Sequence, residues 1–170
     1  MAAGQARGDA GVIRAVSPAD HDAIWAILEP VIRAGETLAI PRDMTRQAAL
    51  SLWLSSDRTV RVLEEDGAVL GIFYVRANQM GGGAHVANAG YVVAQHATGR
   101  GIARRMCAAS LDLARAQGFR AMQFNFVVSS NVRAVALWQD MGFAVVGRLP
   151  EVFDHPALGY VDALVMFRAL

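Results

Sequence analysis

Gly99-Arg100-Gly101 follows a short apolar run, Tyr91-Val92-Val93, and precedes an apolar pattern with helical spacing that reaches about Gln117. A strand feeding a glycine turn that opens a helix suits phosphate chemistry. The first helical N–H groups lack internal partners, and the helix dipole adds partial positive charge there. Glycine lets the backbone take positive φ and meet a ligand with no Cβ in the way. Arg100, Arg104 and Arg105 place cations on or near the same turn. The chemistry implied is a grip on the pyrophosphate of a nucleotide-like cofactor.

Two familiar phosphate grips do not fit. A P-loop ends in Lys and Ser or Thr, and the chain has no lysine. A dinucleotide fingerprint needs three spaced glycines after the first strand, whereas only Gly99 and Gly101 are placed, well inside the chain. Of the other groups with chemical potential, His155 in Asp154-His155-Pro156 could be a general base or a loop histidine bonded to the adjacent acid. Tyr160 and Glu151 are weaker acid–base candidates, as are His85 and His96. Cys107, mid-helix among Ala and Met, reads as a core thiol. The four histidines lack metal-ligand spacing, so no metal is expected.

The elements that must hold the turn follow from pattern and punctuation. Val12–Val16 reads as a strand. Ser17-Pro18-Ala19-Asp20 starts a helix carrying Ile24, Trp25, Ile27, Leu28, Val31 and Ile32, capped by Gly35, with Pro30 expected to kink or divide it. Thr45 caps a second helix that ends near Ser55. Strands around Asp66-Gly67 form a hairpin, and Gly81-Gly82-Gly83 gives another reversal into a strand from His85 to Val93. After the glycine-turn helix, with Gly118 as cap, come a strand from Phe119 to Val128 and a helix from Ser129-Ser130-Asn131 to Gly142. Strands over Phe143–Gly147 and Gly159–Phe167 close the chain. The order βαα-βββ-αβ-αββ predicts an α/β fold, a mixed sheet flanked by helices, as one domain over residues 12–170 behind a loose Gly/Ala-rich segment 1–11.

At 170 residues, 54% hydrophobic and 18% charged, the chain has the composition of a globular domain with a substantial core. A formal net charge of +1 gives no reason to expect a nucleic-acid or membrane partner. A single cysteine rules out an internal disulfide. No apolar run approaches a membrane span, and the start lacks the h-region of a secretory signal, so a cytoplasmic location is expected.

The segment His96-Ala97-Thr98-Gly99-Arg100-Gly101-Ile102-Ala103 resembles the acyl-CoA-binding motif of the GNAT N-acetyltransferase superfamily, with His96 where the family has Gln or Arg. Downstream, Asn131, Ala134, Leu137, Gly142 and Phe143 match the family's later helix in type and spacing. The resemblance implies a mostly antiparallel twisted sheet with splayed central strands, and acetyl-CoA as cosubstrate with no metal. Backbone groups of Tyr91, Val92 and Val93 would pair with the pantetheine arm, and a backbone N–H there would polarise the thioester. His96, Thr98, Gly99, Arg100, Gly101, Ile102, Ala103 and Arg104 would hold the pyrophosphate. The chemistry implied is direct attack of a neutral amine on the thioester.

Trp138 stands where the family commonly has a tyrosine suited to protonating the CoA thiolate, and indole cannot serve as that acid. Asn131 is the candidate thiolate partner, or else a helix cap, the two roles being only partly compatible. The C-terminal stretch from Gly147 to Met166 is similar to the branch containing fungal azetidine-2-carboxylate (proline-analogue) acetyltransferases. By that resemblance Asn88 would orient the substrate amine, and the backbone N–H groups of Asn125 and Phe126 would take its carboxylate. Asparagine is disfavoured within strands, so two beside the cofactor gap suggest a polar pocket, unless both satisfy nearby backbone groups. The implied activity is acetylation, a detoxifying reaction, of a small amino or imino acid. A protein N-terminus, polyamine or aminoglycoside acceptor, a non-catalytic acyl-CoA sensor, and a homodimer all stay open.

Overall fold

A computed structural model describes residues 11–170. Seven strands form one sheet in the order β1-β2-β3-β4-β5-β7-β6. The strands are β1 (Val12–Ala15), β2 (Thr59–Glu65), β3 (Ala68–Ala77), β4 (Val86–Val93), β5 (Ala121–Val128), β6 (Ala144–His155) and β7 (Gly159–Ala169). The helices are α1 (His21–Ala34), α2 (Arg46–Trp53), α3 (Ile102–Ala116) and α4 (Val132–Asp140). All neighbouring pairs are antiparallel except β4 with β5. The mixed, mostly antiparallel sheet flanked by helices is therefore present.

The β4–β5 pair positions the site. Backbone pairing joins only Val86 to Ala121 and Ala87 to Met122, after which the strands diverge although each runs six residues further. A register shift between Phe124 and Val127 puts a bulge in β5 where it pairs with β7. The sheet thus opens into a fork at its centre. Apolar faces of α1 (Ile24, Ile27, Leu28, Ile32) and α3 (Ile102, Met106, Leu111) cover its two sides and build one continuous core with Val62, Phe73 and Met122.

Two expectations differ from the structure. Pro30 sits within a single unbroken helix, α1, whose four buried apolar residues outweigh the one lost hydrogen bond. Residues 148–155, beyond the expected strand Phe143–Gly147, extend β6 to His155, across a bulge that places Glu151 at φ 51°. Pro150 is tolerated there because β6 is an edge strand, paired on one side only. The loose segment expected over residues 1–11 falls almost wholly outside the described residues. Gly11, the one described, has its carbonyl held by an Arg105 guanidinium N–H at 2.7 Å.

Candidate active site

A cleft of about 850 Å³ runs through the fork, from the glycine turn to the loop between α1 and α2. At one end Gly99 and Gly101 take φ 82° and 77°, and open space lies where a Gly101 Cβ would project. The first α3 donor is Arg105 N–H, to Gly101 O at 3.1 Å, which leaves the N–H groups of Ile102, Ala103 and Arg104 without helical partners. Gly101, the N-cap, offers no side chain to satisfy them. These residues line the cleft together with Thr98 and Gly99. An anion seated there would meet donors already aimed and a favourable dipole, so the turn fits a pyrophosphate.

The cations around the turn are distributed differently from the expectation. The Arg100 and Arg105 side chains both turn to Glu65 at the end of β2, and the Arg100 N–H donates to Ala97 O at 3.4 Å. Arg100 is therefore outside the cleft lining. Arg104 lines it, paired with exposed Asp140 at 3.0 Å. Arg133, which the sequence did not single out, lines it too, with its guanidinium 4.0 Å from where a Gly99 Cβ would stand. Its position two residues past Asn131, in the first turn of α4, was the available signal. His96 is exposed and borders a separate hollow with Arg14, Pro30 and Gln95. Val92 is buried and absent from the lining, whereas Tyr91 and Val93 line the cleft.

Strand alternation sorts the rest of the site. The Tyr91 hydroxyl lies 2.6 Å from Ser110 Oγ of α3, so Tyr91 and Val93 point to that face. Enclosure in this apolar setting holds the Tyr91 phenol well above its usual range. Asn88 and Gly90 point to the opposite face. There the Tyr74 hydroxyl donates to Asn88 Oδ1 at 3.4 Å, and the Tyr74 ring meets Trp53 of α2 edge-on at 5.3 Å. A Cβ at Gly90 would stand 2.6 Å from that ring, so only glycine lets Tyr74 lie across β4. Sequence reading missed Tyr74, although its parity with Arg76 on β3 was readable.

Amides bridge the fork on this face. Asn88 Nδ2 donates to Gln123 O at 3.0 Å, Gln123 Nε2 to Asn125 Oδ1 at 2.9 Å, and Asn125 Nδ2 to Asn78 Oδ1 at 2.6 Å. Asn88, Asn125 and Phe126 all line the cleft, the last two within the β5 bulge. Arg76, cross-strand from Asn88, and Thr37, Leu38 and Ala39 complete this end.

At the junction of the two ends, Asn131 Oδ1 accepts the Ala134 N–H at 3.4 Å as the α4 cap. Asn131 lines the cleft, and its Nδ2 has no hydrogen-bond partner among the described residues, so capping leaves the donor half of the amide unused. Trp138 is 8% exposed, with its ring centroid 4.9 Å from Tyr91 and 5.1 Å from Phe124. It forms an apolar wall of the cleft.

No His, Asp or Glu lines the cleft among the described residues. His155 Nδ1 accepts the Ala157 N–H at 3.1 Å and makes no bond to Asp154, so neither sequence reading of it is met. Glu151, Tyr160 and His85 lie outside the lining. Cys107 is buried, and burial pushes its thiol up to about 11. Among the described residues no group of three or more His, Cys, Asp or Glu could hold a metal ion, and no helix is long and apolar enough to cross a membrane.

Residues 25–143, which contain the fork, the glycine turn and α4, match the model of the acetyltransferase (GNAT) family. The chain belongs to that family. It is an N-acetyltransferase with acetyl-CoA as cosubstrate. A GCN5-related N-acetyltransferase from Kribbella flavida is 43% identical, with a TM-score of 0.91 over 95% of this chain and 98% of that one. The N-acetyltransferase aca1 of Schizosaccharomyces pombe is 27% identical over 79% of this chain and 72% of its own length. A phosphinothricin acetyltransferase from Sinorhizobium meliloti in complex with AcCoA is 20% identical. It shares the fold at a TM-score of 0.83 over 95% of this chain and 89% of that one.

Proposed function

We propose that this acetyltransferase moves the acetyl group of acetyl-CoA to the nitrogen of a small amino or imino acid, with a proline analogue as the type. The observation that carries this is the composition of the cleft. Its acceptor end offers amides and an arginine, and no carboxylate lines it among the described residues. Polyamine and aminoglycoside acceptors carry several cations and call for acidic walls, which are missing here. An amine that also bears an anion suits these walls. A single buried free thiol accords with a reducing compartment such as the cytoplasm.

Acetyl-CoA supplies the thioester, and transfer releases the CoA thiol. The N–H groups from Gly101 to Arg104 hold the pyrophosphate, while the β4 backbone at Tyr91 and Val93 pairs with the arm in the gap left by β5. One N–H of that stretch polarises the thioester carbonyl. Asn88 orients the amine, and the N–H groups of Asn125 and Phe126 in the bulge donate to the substrate carboxylate. Lacking a lining carboxylate or imidazole, the amine loses its proton through water. Asn131 Nδ2 donates to the departing sulfur, a task that Trp138 cannot perform as an acid.

Calorimetry with acetyl-CoA, followed by free-thiol release across a panel of amines, tests this. Micromolar binding of acetyl-CoA and fastest release with amino or imino acids are expected. Preferential turnover of polyamines, or of no amino acid at all, would overturn the substrate class.

A further inference from the structure

The acceptor end of the cleft holds an unbalanced pair of cations. Arg76 lines the cleft one strand away from Asn88, and its Nε is buried with no hydrogen-bond partner among the described residues. Arg58, just before β2, lies with its guanidinium carbon 4.1 Å above the Tyr74 ring, and its Nε is likewise buried and unpartnered among the described residues. Orphaned donors on charged groups are costly unless a ligand or water satisfies them. Asp57 is the only carboxylate that pairs with either arginine among the described residues, reaching Arg76 at 3.3 Å while itself 58% exposed. Two guanidinium groups against one carboxylate leave an excess positive charge beside the fork. Burial also lowers the Arg58 guanidinium from its ordinary value, a sign that its charge is under-compensated where it sits.

We infer that Arg76, backed by Arg58 stacked on Tyr74, is an anion subsite that pairs with the carboxylate of the acceptor. This rests on the acceptor being an amino or imino acid and adds the charge that the bulge N–H groups lack. A carboxylate has enough lone pairs to accept from both. Arg58 acts through Tyr74 as a positioning residue, because the ring it covers also holds Asn88 Oδ1.

The test uses the full chain saturated with CoA. Calorimetry compares L-azetidine-2-carboxylate and a panel of α-amino and imino acids with their carboxamides, which keep the amine and lose the anion. Thiol release from acetyl-CoA is measured on the same pairs. A charge-assisted hydrogen bond corresponds to roughly 10- to 100-fold in affinity, so the acids should bind the unaltered protein at least about 10-fold tighter than the carboxamides. Arg76→Gln should bring the pair to within about threefold through loss on the acid alone, while Arg76→Lys keeps part of the preference. The acid-to-carboxamide comparison in the unaltered protein needs no variant to fold. Equal binding of the pair, equal weakening of both by Arg76→Gln, or no binding by any acid would overturn the subsite. Selective acid binding without thiol release would leave the subsite standing and sink the acceptor class. Turnover of acids and carboxamides alike would retain the reaction and remove the subsite.

Discussion

Asn88 Nδ2 donates to the carbonyl oxygen of Gln123 at 3.0 Å, one residue beyond the last backbone pair that joins β4 to β5. A side-chain amide thus takes over where the backbone ladder stops, and it pins the mouth of the fork. Asn88→Ala should therefore have two effects. Substrate KM should rise about 10-fold or more, and the stranded Gln123 carbonyl should cost about 1–2 kcal/mol, or roughly 2–8 °C in Tm. Steady-state kinetics with both substrates varied and thermal melts check this. A rise confined to the acetyl-CoA KM would remove Asn88 from the acceptor pocket.

Asn131 lines the cleft and caps α4 through Oδ1 on the Ala134 N–H, while its Nδ2 has no hydrogen-bond partner among the described residues. Asn131→Asp keeps a good capping acceptor but loses the donor, so stability should stay within about 0.5 kcal/mol. Turnover should fall about 100-fold, the scale of removing one donor from a developing anion. Single-turnover rates beside thermal melts separate the roles, and an undiminished rate would leave Asn131 a cap alone.

Trp138 packs against Tyr91 and Phe124 with almost no exposure. Trp138→Phe should retain kcat within a few-fold, because indole contributes no proton, whereas Trp138→Ala should destabilise by about 3–5 kcal/mol. Denaturant titration and acetyl-transfer assays check both. A collapse of kcat in a stable Trp138→Phe variant would assign the indole a direct chemical part.

Gly101 at φ 77° opens α3 in the turn proposed to hold the pyrophosphate. Gly101→Ala imposes strain of about 1–2 kcal/mol on the loop that aims the N–H groups. The acetyl-CoA dissociation constant, read by calorimetry, should rise about 10-fold while the amine KM changes little. An unaltered constant would place the phosphate elsewhere.

Asp20, 6% exposed, accepts from both terminal guanidinium nitrogens of Arg14 at 2.8 Å and from the Ser17 N–H at 2.7 Å. The Arg14 guanidinium, foremost among these partners, holds the Asp20 carboxyl far below its usual range. A carboxyl depressed on folding adds stability that is complete above its unfolded value, near pH 4, and is lost as pH falls toward the folded one. Because Arg14 is about one-third exposed and can rehydrate, Asp20→Asn should cost only about 2 kcal/mol at pH 7. The gap from the unaltered protein should narrow below pH 4. Melts across pH 3–7 check this, and a constant gap would contradict the linkage.

The order of elements was readable because each carries a local signal. Ser17-Pro18 starts the first helix, Asp66-Gly67 turns the first hairpin, and Gly118 and Gly142 end α3 and α4 at φ 85° and 86°. The far half of β6 was not readable. Pro150 and a bulge at Glu151 break the two-residue alternation, and only pairing with β7 makes that segment a strand. In the cleft, the backbone N–H groups of Ile102 to Arg104, left without helical partners, were legible from glycine spacing alone. The placement of long side chains was not. Arg100 and Arg133 look alike in the sequence, and Glu65, far away in the chain, draws the first aside while the second faces the cleft.

The family and the glycine turn were legible in the chain alone, because positive φ, helix starts and apolar periodicity are properties of a few neighbouring residues. The far end of the cleft came only from packing. The meeting of Tyr74, Arg76, Asn88, Gln123 and Asn125 depends on strand parity, on register, and on where two parallel strands cease to pair. Those are relations between segments distant in the chain, and no local pattern encodes them.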